Sequence, residues 1–185
     1  MPVERTNYGD THRALVESCQ RGERRAQFDL YKLYGRAMYN VCLRMVRNAH
    51  DAEDLLQVAF VDIYAKIDTF NFESSIGAWI KRVVINKCID HLKRRRLLTE
   101  EFRVFEHGEE MVEEETDSGT DPELDVAAIK IAVQKLPDGY RVVLSLYLFE
   151  GYDHEEIGQI LNISTATSKS QYHRAKKRLR QLLAA

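Results

Sequence analysis

The stretch of sequence that decides the fold runs from residue 153 to residue 183 and reads DHEEIGQILNISTATSKSQYHRAKKRLRQLL. Asp153 and Glu156 have the D-x-x-E spacing of a capping box, which predicts the start of a short helix. A tight turn at 162–164 follows, and Ser164 or Thr165 can cap a second helix that runs to residue 183. Two helices joined in this way, the second one basic, are typical of a DNA-binding helix-turn-helix.

The second of these helices has two chemically different faces. An apolar stripe at helical spacing consists of Tyr172, Ala175, Leu179 and Leu182. The other face is cationic and carries Lys169, His173, Lys176, Lys177 and Arg180. The first turns present short polar groups able to reach phosphates or base edges, namely Thr165, Thr167, Ser168, Ser170 and Gln171. Cations at a helix end also complement the helix dipole, by about 0.3–1 kcal/mol each, but that alternative does not explain the polar first turns.

The rest of the chain also has helical periodicity. In residues 51–70 an i, i+3/i+4 stripe is expected to be buried and consists of Ala52, Leu55, Leu56, Ala59, Ile63 and Ile67. Asn48 or Asp51 can cap this helix. Further helices are predicted over four stretches, 25–47, 76–98, 125–135 and 140–150. In the last of these stretches, Val143, Leu144, Tyr147 and Leu148 are expected to face inward. Because all these segments have helical periodicity, the predicted fold class is all-α.

Charge divides the chain into three parts. The whole sequence of 185 residues has a net charge of −2, is 44% hydrophobic and is 30% charged, as in globular proteins. Residues 1–98 hold 17 Lys and Arg against 12 Asp and Glu, and residues 129–185 hold nine against five. Residues 99–128 hold one Arg against 12 acids. Two basic blocks therefore flank one strongly acidic connector.

The acidic connector favours a division into two small helical domains. Mutual repulsion and few large apolar residues argue against a packed core there, so 99–124 is expected to be a flexible linker. The remaining boundaries are a flexible tail at 1–20, a first domain at 21–98 and a second domain at 125–185. A solvated acidic loop within a single domain is the alternative interpretation.

Several classes of protein are excluded at this point. No apolar run reaches the roughly 20 residues that span a bilayer, and the beginning of the sequence lacks a signal-peptide core, so we expect a cytoplasmic protein without membrane insertion. Three cysteines far apart do not predict a disulfide framework. The pairs His50-Asp51 and Cys88-x-x-His91 lack the further ligands that a metal site needs. We therefore predict no catalytic residue, no metal and no cofactor.

The two basic blocks together resemble the extracytoplasmic-function (ECF) sigma factors of bacterial RNA polymerase. The segment LPDGYRVVLSLYLFEGYDHEEIGQILNISTATSKSQYHRAKKRLRQLL is similar to their −35 domain. The segments DAEDLLQVAFVDIYAKIDTF and FNFESSIGAWIKRVVINKCIDHLKRRR are similar to their core-binding helix and −10 domain. The resemblance implies a sigma factor that binds core polymerase, helps to open the −10 element and binds the −35 element for transcription initiation.

The resemblance also implies which residues contact core polymerase. The family's D-L-x-Q pattern falls on Asp54, Leu55 and Gln57, with Phe60 and Tyr64 continuing the exposed surface toward the clamp helices. Val58 stands where such families usually have an acid. A second implied contact is with the polymerase flap. For Asp54 a purely structural role as a first-turn acid is the alternative.

For the −10 element, the implied base-capture loop is 71–75, which consists of Asn71, Phe72, Glu73, Ser74 and Ser75. The following helix contributes Trp79, Arg82, Asn86 and Lys87, and phosphates are assigned to Lys93, Arg94, Arg95 and Arg96. Trp79 is expected to be partly buried in support of the loop. The alternative interpretation of the arginine run is that it forms only a solvated helix end and does not bind phosphates.

For the −35 element, the implied contacts are Thr165, Thr167, Ser168, Lys169, Ser170, Gln171, His173, Arg174 and Lys177. The family pattern G-T-V-K-S-R appears as A-T-S-K-S-Q, so Gln171 replaces a frequent Arg. Since Gln suits adenine and Arg suits guanine, promoter preference is expected to differ from members that carry Arg.

The remaining partners follow from the same resemblance. An anti-sigma factor is implied, although no residue identifies it. The acidic linker is expected to enter the basic channel of polymerase that later holds RNA, guided by its charge. Neutralising the acids at 109–115 is expected to weaken holoenzyme assembly or early transcription. In holoenzyme the protein would be associated with the nucleoid. The competing hypothesis is a plain DNA-binding regulator whose first block is a sensor or dimerisation domain.

Overall fold

The structure is a computed structural model that describes residues 12–97 and 126–184, all helices and connecting turns without a strand in these two ranges. The chain falls into two compact units that divide at Asp90/His91, close to the end of the fourth helix. The predicted linker at 99–124, with its acids at 109–115, lies outside the described residues. So do residues 1–11 of the predicted tail. No helix in the two described ranges combines the length and apolar character needed to cross a bilayer.

The first unit is built from α1 (Arg13–Gln20), α2 (Arg24–Val46), α3 (Ala49–Lys66), a 3-10 turn (Ile67–Thr69) and the part of α4 (Ile76–Leu97) up to Asp90. Its core confirms the stripe predicted at 51–70, because all six residues are buried, five of them on α3 and Ile67 in the 3-10 turn. Asn48 caps α3, since its side-chain oxygen accepts a 3.1 Å hydrogen bond from the Asp51 N–H. Residues that recur at helical spacing thus place one side of α3 against the rest of the unit.

Helix α1 corrects the prediction that residues 1–20 form a flexible tail. Residues 13–20 are helical, and Val16 and Cys19 are buried among the core residues of the first unit. The signal for this helix in the sequence is weak because an eight-residue helix is marginal by itself. Its stability comes from packing on distant parts of the chain, which local periodicity does not reveal.

The second unit contains α5 (Val126–Lys135), α6 (Asp138–Leu148), α7 (His154–Leu161) and α8 (Thr165–Leu183). Its core cluster consists of Val133, Leu136, Leu144 and Ala175. The apolar stripe predicted on α8 is confirmed, because Tyr172, Leu179 and Leu182 pack against this cluster.

The inward face predicted for α6 is wrong in its last turn. Leu148 is 52% exposed and Tyr147 is also exposed, whereas six consecutive residues, 141–146, are buried. The middle of α6, at 141–146, is enclosed on all sides, and its end extends past the core. Arg141 is fully buried there and donates to the Leu136 carbonyl at 2.9 Å and to Asp138 Oδ1 at 2.7 Å, which compensates its charge.

The capping groups predicted for the helix-turn-helix of α7 and α8 are confirmed. The capping box of Asp153 and Glu156 is complete, and Ser164 Oγ accepts a 3.0 Å hydrogen bond from the Thr167 N–H. The backbone of the turn at 162–164 passes so close to α7 that a Cβ on Gly158 would lie 2.9 Å from the Ile163 carbonyl oxygen. Glycine at 158 therefore allows the tight turn between α7 and α8.

Candidate nucleic-acid and polymerase interfaces

One exposed stripe on α3 contains two of the residues assigned to core polymerase. Asp54 and Gln57 are exposed, and Val58 and Val61 lie beside them at i, i+3, i+4 and i+7 spacing. We call these four residues the α3 surface. Val61 is 67% exposed, which is unusual for an apolar side chain in a helix with a buried side. The α3 surface therefore combines two polar groups with apolar area that nothing in the described part of the first unit covers.

The other three predicted contacts on α3 are not on this surface. Leu55 is buried and Phe60 is only 3% exposed, so the expectation that Phe60 continues the exposed surface is wrong. The Phe60 ring packs edge-on against Tyr31 of α2, with ring centres 4.9 Å apart. Tyr64 is partly buried and donates its hydroxyl hydrogen to the Gln27 carbonyl at 2.7 Å, and burial is the main cause that raises the pKa of Tyr64 to about 12.

Sequence reasoning missed the exposed apolar residues of the first unit. In the described part of that unit, the large apolar side chains left exposed are Phe28, Tyr31, Leu33, Val58 and Val61. Val58 and Val61 could have been found, because both lie off the buried stripe of a helix that otherwise carries polar residues there. Phe28 and Leu33 could not, because α2 is long and its apolar residues occur on several sides.

The predicted base-capture loop, 71–75, lies between the 3-10 turn and α4. Asn71, Glu73 and Ser74 are exposed, and Ser75 caps α4 by accepting a 3.2 Å hydrogen bond from the Ala78 N–H. Phe72 is half-buried and has φ of +64°, which is rare for a bulky side chain. The loop thus exposes polar side chains around an aromatic ring in a strained backbone position.

Three aromatic rings connect this loop to α4. The buried Phe70 ring lies 5.0 Å from that of Phe72 and 5.6 Å from that of Trp79. Trp79 is half-buried, which confirms the expectation of partial burial in support of the loop. Because Phe70 contacts both other rings, it couples the position of Phe72 to the first turns of α4.

The predicted polar residues of α4 do not all share one environment. Trp79, Arg82 and Asn86 lie within about 60° of arc on one side of the helix. Lys87 points elsewhere and forms a 2.6 Å ion pair with Asp62 of α3; the Lys87 hydrogen bond lowers the pKa of that carboxyl. Further along, Lys93, Arg94 and Arg95 are exposed, and the side chain of Arg96 lies outside the described residues.

On α8 the predicted contacts separate into an outer surface and two buried residues. We call the outer set the α8 surface; it consists of Thr165, Thr167, Lys169, Ser170, His173, Arg174 and Lys177, all exposed or half-buried. Ser168 is fully buried and Gln171 is 3% exposed. Their prediction as accessible polar groups is wrong, because both positions fall on the helix side that carries Ala175. The inward side of α8 therefore begins one turn earlier than its apolar residues indicate.

Ser168 has a specific partner that the sequence did not suggest. Its hydroxyl lies 2.9 Å from Nδ1 of His154 at the start of α7. The His154 ring stacks on Tyr147 at 4.6 Å, and Tyr172 contacts both rings, at 5.5 Å from His154 and 4.5 Å from Tyr147. Burial, followed by nearby Lys169, lowers the pKa of His154, while Asp153 opposes the shift. A neutral His154 thus connects α7 to the inner side of α8.

Two known protein families match separate parts of the chain. The family model for Sigma-70 region 2 matches residues 30–97, and the model for Sigma-70, region 4 matches residues 127–179. The chain is 32% identical over 177 residues to the ECF RNA polymerase sigma factor SigW of Bacillus subtilis, covering 91% of this chain and 94% of SigW. It is 30% identical to the RNA polymerase sigma-H factor of Pseudomonas aeruginosa, covering 91% and 92%.

A solved structure is also similar. The sigma factor RpoE, in complex with the anti-sigma factor NepR from Bartonella quintana, matches with a TM-score of 0.58 and 24% identity over 85% of this chain and 96% of RpoE. That likeness concerns the fold. Together, the two helical units and their matches define a transcription initiation factor of the sigma-70 class.

The chain belongs to the ECF RNA polymerase sigma factor family. It directs core RNA polymerase to promoters and is not an enzyme. Membership excludes the plain DNA-binding regulator, and it confirms the resemblance that the motifs of the two basic blocks indicated.

Proposed function

We propose that residues 21–98 bind core polymerase and the −10 element, that residues 125–185 bind the −35 element, and that 99–124 connects them. The observation that carries this assignment is the loop 71–75, whose exposed polar groups surround Phe72 at the start of the cationic α4. An aromatic ring with polar neighbours is what a base removed from the duplex stack can use. In this arrangement the first domain also binds a base that has left the duplex, in addition to binding duplex DNA.

The α3 surface is the contact that we assign to the polymerase clamp helices. Asp54 and Gln57 supply hydrogen-bonding groups, and Val58 and Val61 supply apolar area to be buried. Exposed large apolar residues of this kind mark interaction sites when they cluster. Phe60 and Tyr64 act indirectly, because their contacts with α2 fix the position of α3, and Leu55 acts as a buried core residue.

In the −10 region, Asn71, Glu73 and Ser74 would contact the captured base, which would stack on Phe72. Ser75 and Trp79 support the loop, and Arg82 and Asn86 continue along one side of α4. The cations at 93–96 would hold backbone phosphates. Lys87 contributes less there than its sequence position suggests, since its ammonium group is paired with Asp62.

In the −35 region, the α8 surface would enter the major groove, with its first turn near the bases and its later cations near phosphates. Ser168 and Gln171 would act by positioning α8 from its inner side. Promoter preference at this element is therefore a property of the exposed residues, above all Lys169, Ser170 and His173.

Two further partners complete the proposal. Leu148 and Phe149 are exposed apolar residues at the end of α6 and are available for the second polymerase contact, on the flap. An anti-sigma factor would bind this protein, as one does the solved relative. We place the protein in the cytoplasm, and at the nucleoid when it is part of holoenzyme.

The direct test is run-off transcription with bacterial core polymerase on genomic fragments, with and without this protein. We expect new start sites that share a −10 and a −35 element.

A double variant, Lys169→Ala with Lys177→Ala, tests the α8 surface. It is expected to lower the affinity for −35 DNA and to reduce the salt dependence of that affinity by about two phosphate contacts. Lys130→Ala with Lys135→Ala is the matched control, because it removes the same charge from exposed positions on α5. Equal losses in both variants would contradict the role of the α8 surface.

A further inference from the structure

The turn that leads into the base-capture loop is held by a residue far away in sequence. Nε2 of Gln20 donates to the Ile67 carbonyl at 2.9 Å and to the Phe70 carbonyl at 3.0 Å. A side-chain amide nitrogen has two hydrogens, so both are used on backbone groups on either side of the 3-10 turn. Gln20 is the last residue of α1 and bridges 47 and 50 positions along the chain.

The loop itself is contacted by the other end of the same helix. The Arg13 guanidinium lies 4.3 Å from the centre of the Phe72 ring, within the range of a cation–π interaction. Arg13 is oriented by Glu17 one turn later, with Nε 3.0 Å from Oε1. Phe72 has the left-handed backbone that a bulky residue adopts only when its surroundings hold it there. Arg13 and Phe70 both contact its ring and so supply part of that support.

Different residues of α1 pack into the core and position the loop. Val16 and Cys19 are buried and attach the helix to the first unit. Arg13 is half exposed, and the Gln20 side chain makes partly buried hydrogen bonds to the carbonyls of Ile67 and Phe70. Substitutions at Arg13 and Gln20 can therefore separate the two roles.

We propose that α1 is a positioning element for promoter opening, in which Gln20 fixes the turn before the loop and Arg13 fixes Phe72 within it. A loop that is ordered before the base arrives loses less conformational freedom on binding, and so binds more tightly. The inference rests on the proposed role of 71–75 in capturing a −10 base. It adds a dependence on residues that lie more than 50 positions upstream of that loop.

The test uses holoenzyme reconstituted with core polymerase and a single-stranded oligonucleotide that carries the −10 element mapped by run-off transcription. Gln20→Met keeps side-chain length and removes both donors, and we expect about tenfold weaker oligonucleotide binding. Arg13→Met is expected to weaken binding about threefold, and Arg13→Lys to restore most of it. Arg21→Met is the matched control, since it removes one exposed cation at the end of the same helix.

Affinity for core polymerase and for a −35 duplex should stay within about twofold in every variant, because positioning affects only the loop. Acrylamide quenching of Trp79, the one tryptophan of the chain, should increase in free Gln20→Met, since Phe70 links the turn to that ring. Unchanged oligonucleotide binding by both variants, or a parallel loss of all three affinities together with the melting temperature, would overturn the inference alone. Failure of wild-type holoenzyme to bind the oligonucleotide would overturn the proposed loop function as well.

Discussion

The helix-turn-helix and the loop 71–75 are the two short elements that we propose to contact DNA, but their shapes have different origins. In the helix-turn-helix, the capping box, the Ser164 cap and Gly158 lie within seven residues of the groups they act on. In the loop, Phe72 is held from α1, nearly 60 residues upstream. Local elements of this kind can be recognised in a sequence and broken by one substitution. The loop depends on several weak distant contacts, so each single change should have a smaller effect.

The largest effect is expected from Gly158→Ala, which breaks the local element. The new Cβ would lie 2.9 Å from the Ile163 carbonyl oxygen, and because a Cβ is rigidly attached to its backbone and the oxygen belongs to the backbone, the turn must shift. We expect a loss of about 2–3 kcal/mol in the free energy of unfolding and weaker −35 binding. Denaturant unfolding followed by circular dichroism measures the first quantity.

Gly151→Ala is the control for that prediction. Gly151 has φ of +78°, but no atom lies within 4 Å of the place that a Cβ would occupy, so only backbone strain of about 1 kcal/mol is expected. Equal destabilisation by the two variants would mean that the close approach of the turn backbone to α7 does not require glycine at 158.

The next effect concerns the capping box at the start of α7. Asp153→Ala removes the acceptor for the Glu155 and Glu156 N–H groups and should cost about 1–2 kcal/mol of stability. Asp153→Asn keeps an acceptor oxygen and should cost less than about 0.5 kcal/mol. The same unfolding measurement checks both, and similar losses would argue against capping as the source of stability.

A pair of variants at Phe72 tests the loop 71–75 through the same quantity, the free energy of unfolding. Both Phe72→Ala and Phe72→Gly lose the ring contacts with Phe70 and Arg13. Only glycine is free of strain at φ of +64°, so the glycine variant should be about 1 kcal/mol more stable than the alanine variant. Urea midpoints decide this, and the reverse order would show that the left-handed backbone is not kept without the ring.

The smallest effect is a pH dependence of the helix-turn-helix. Burial lowers the pKa of His154 below its ordinary 6.5, so the unfolded chain takes up this proton more readily than the folded one. Stability is therefore full above that ordinary value and is lost as the pH falls through the lower folded-state pKa. His154→Gln should reduce the difference between urea midpoints at about pH 7.5 and about pH 5. An unchanged difference would assign the pH dependence to other groups.

The positions where sequence reasoning succeeded share a physical cause. The six-residue stripe at 51–70, the cap at Asn48 and the turn between α7 and α8 are set by neighbours within one or two helical turns. Helical period and capping preference are properties of such short segments. The family resemblance extended this to function, because its motifs occupy the same segments.

The errors occurred where a residue's environment is set by other helices. Ser168 and Gln171 are polar and follow a cap, so they resemble exposed groups, yet the packing of α8 on α6 and α7 buries both. Phe60 lies beside the buried stripe of α3, four residues after Leu56 and three before Ile63, and Tyr31 of α2 covers its ring. Helix α1 was missed because its stability depends on Val16 and Cys19 finding the core.

By itself the sequence determined the all-α class, the helix-turn-helix and the membership of the sigma family, because short-range periodicity, capping and motif spacing are written in consecutive residues. Tertiary structure alone decided which polar residues of α8 face outward, which part of α3 stays exposed, and how α1 reaches the loop at 71–75. These features depend on which surfaces the helices bury against one another, and that burial is a sum over contacts between segments distant in sequence.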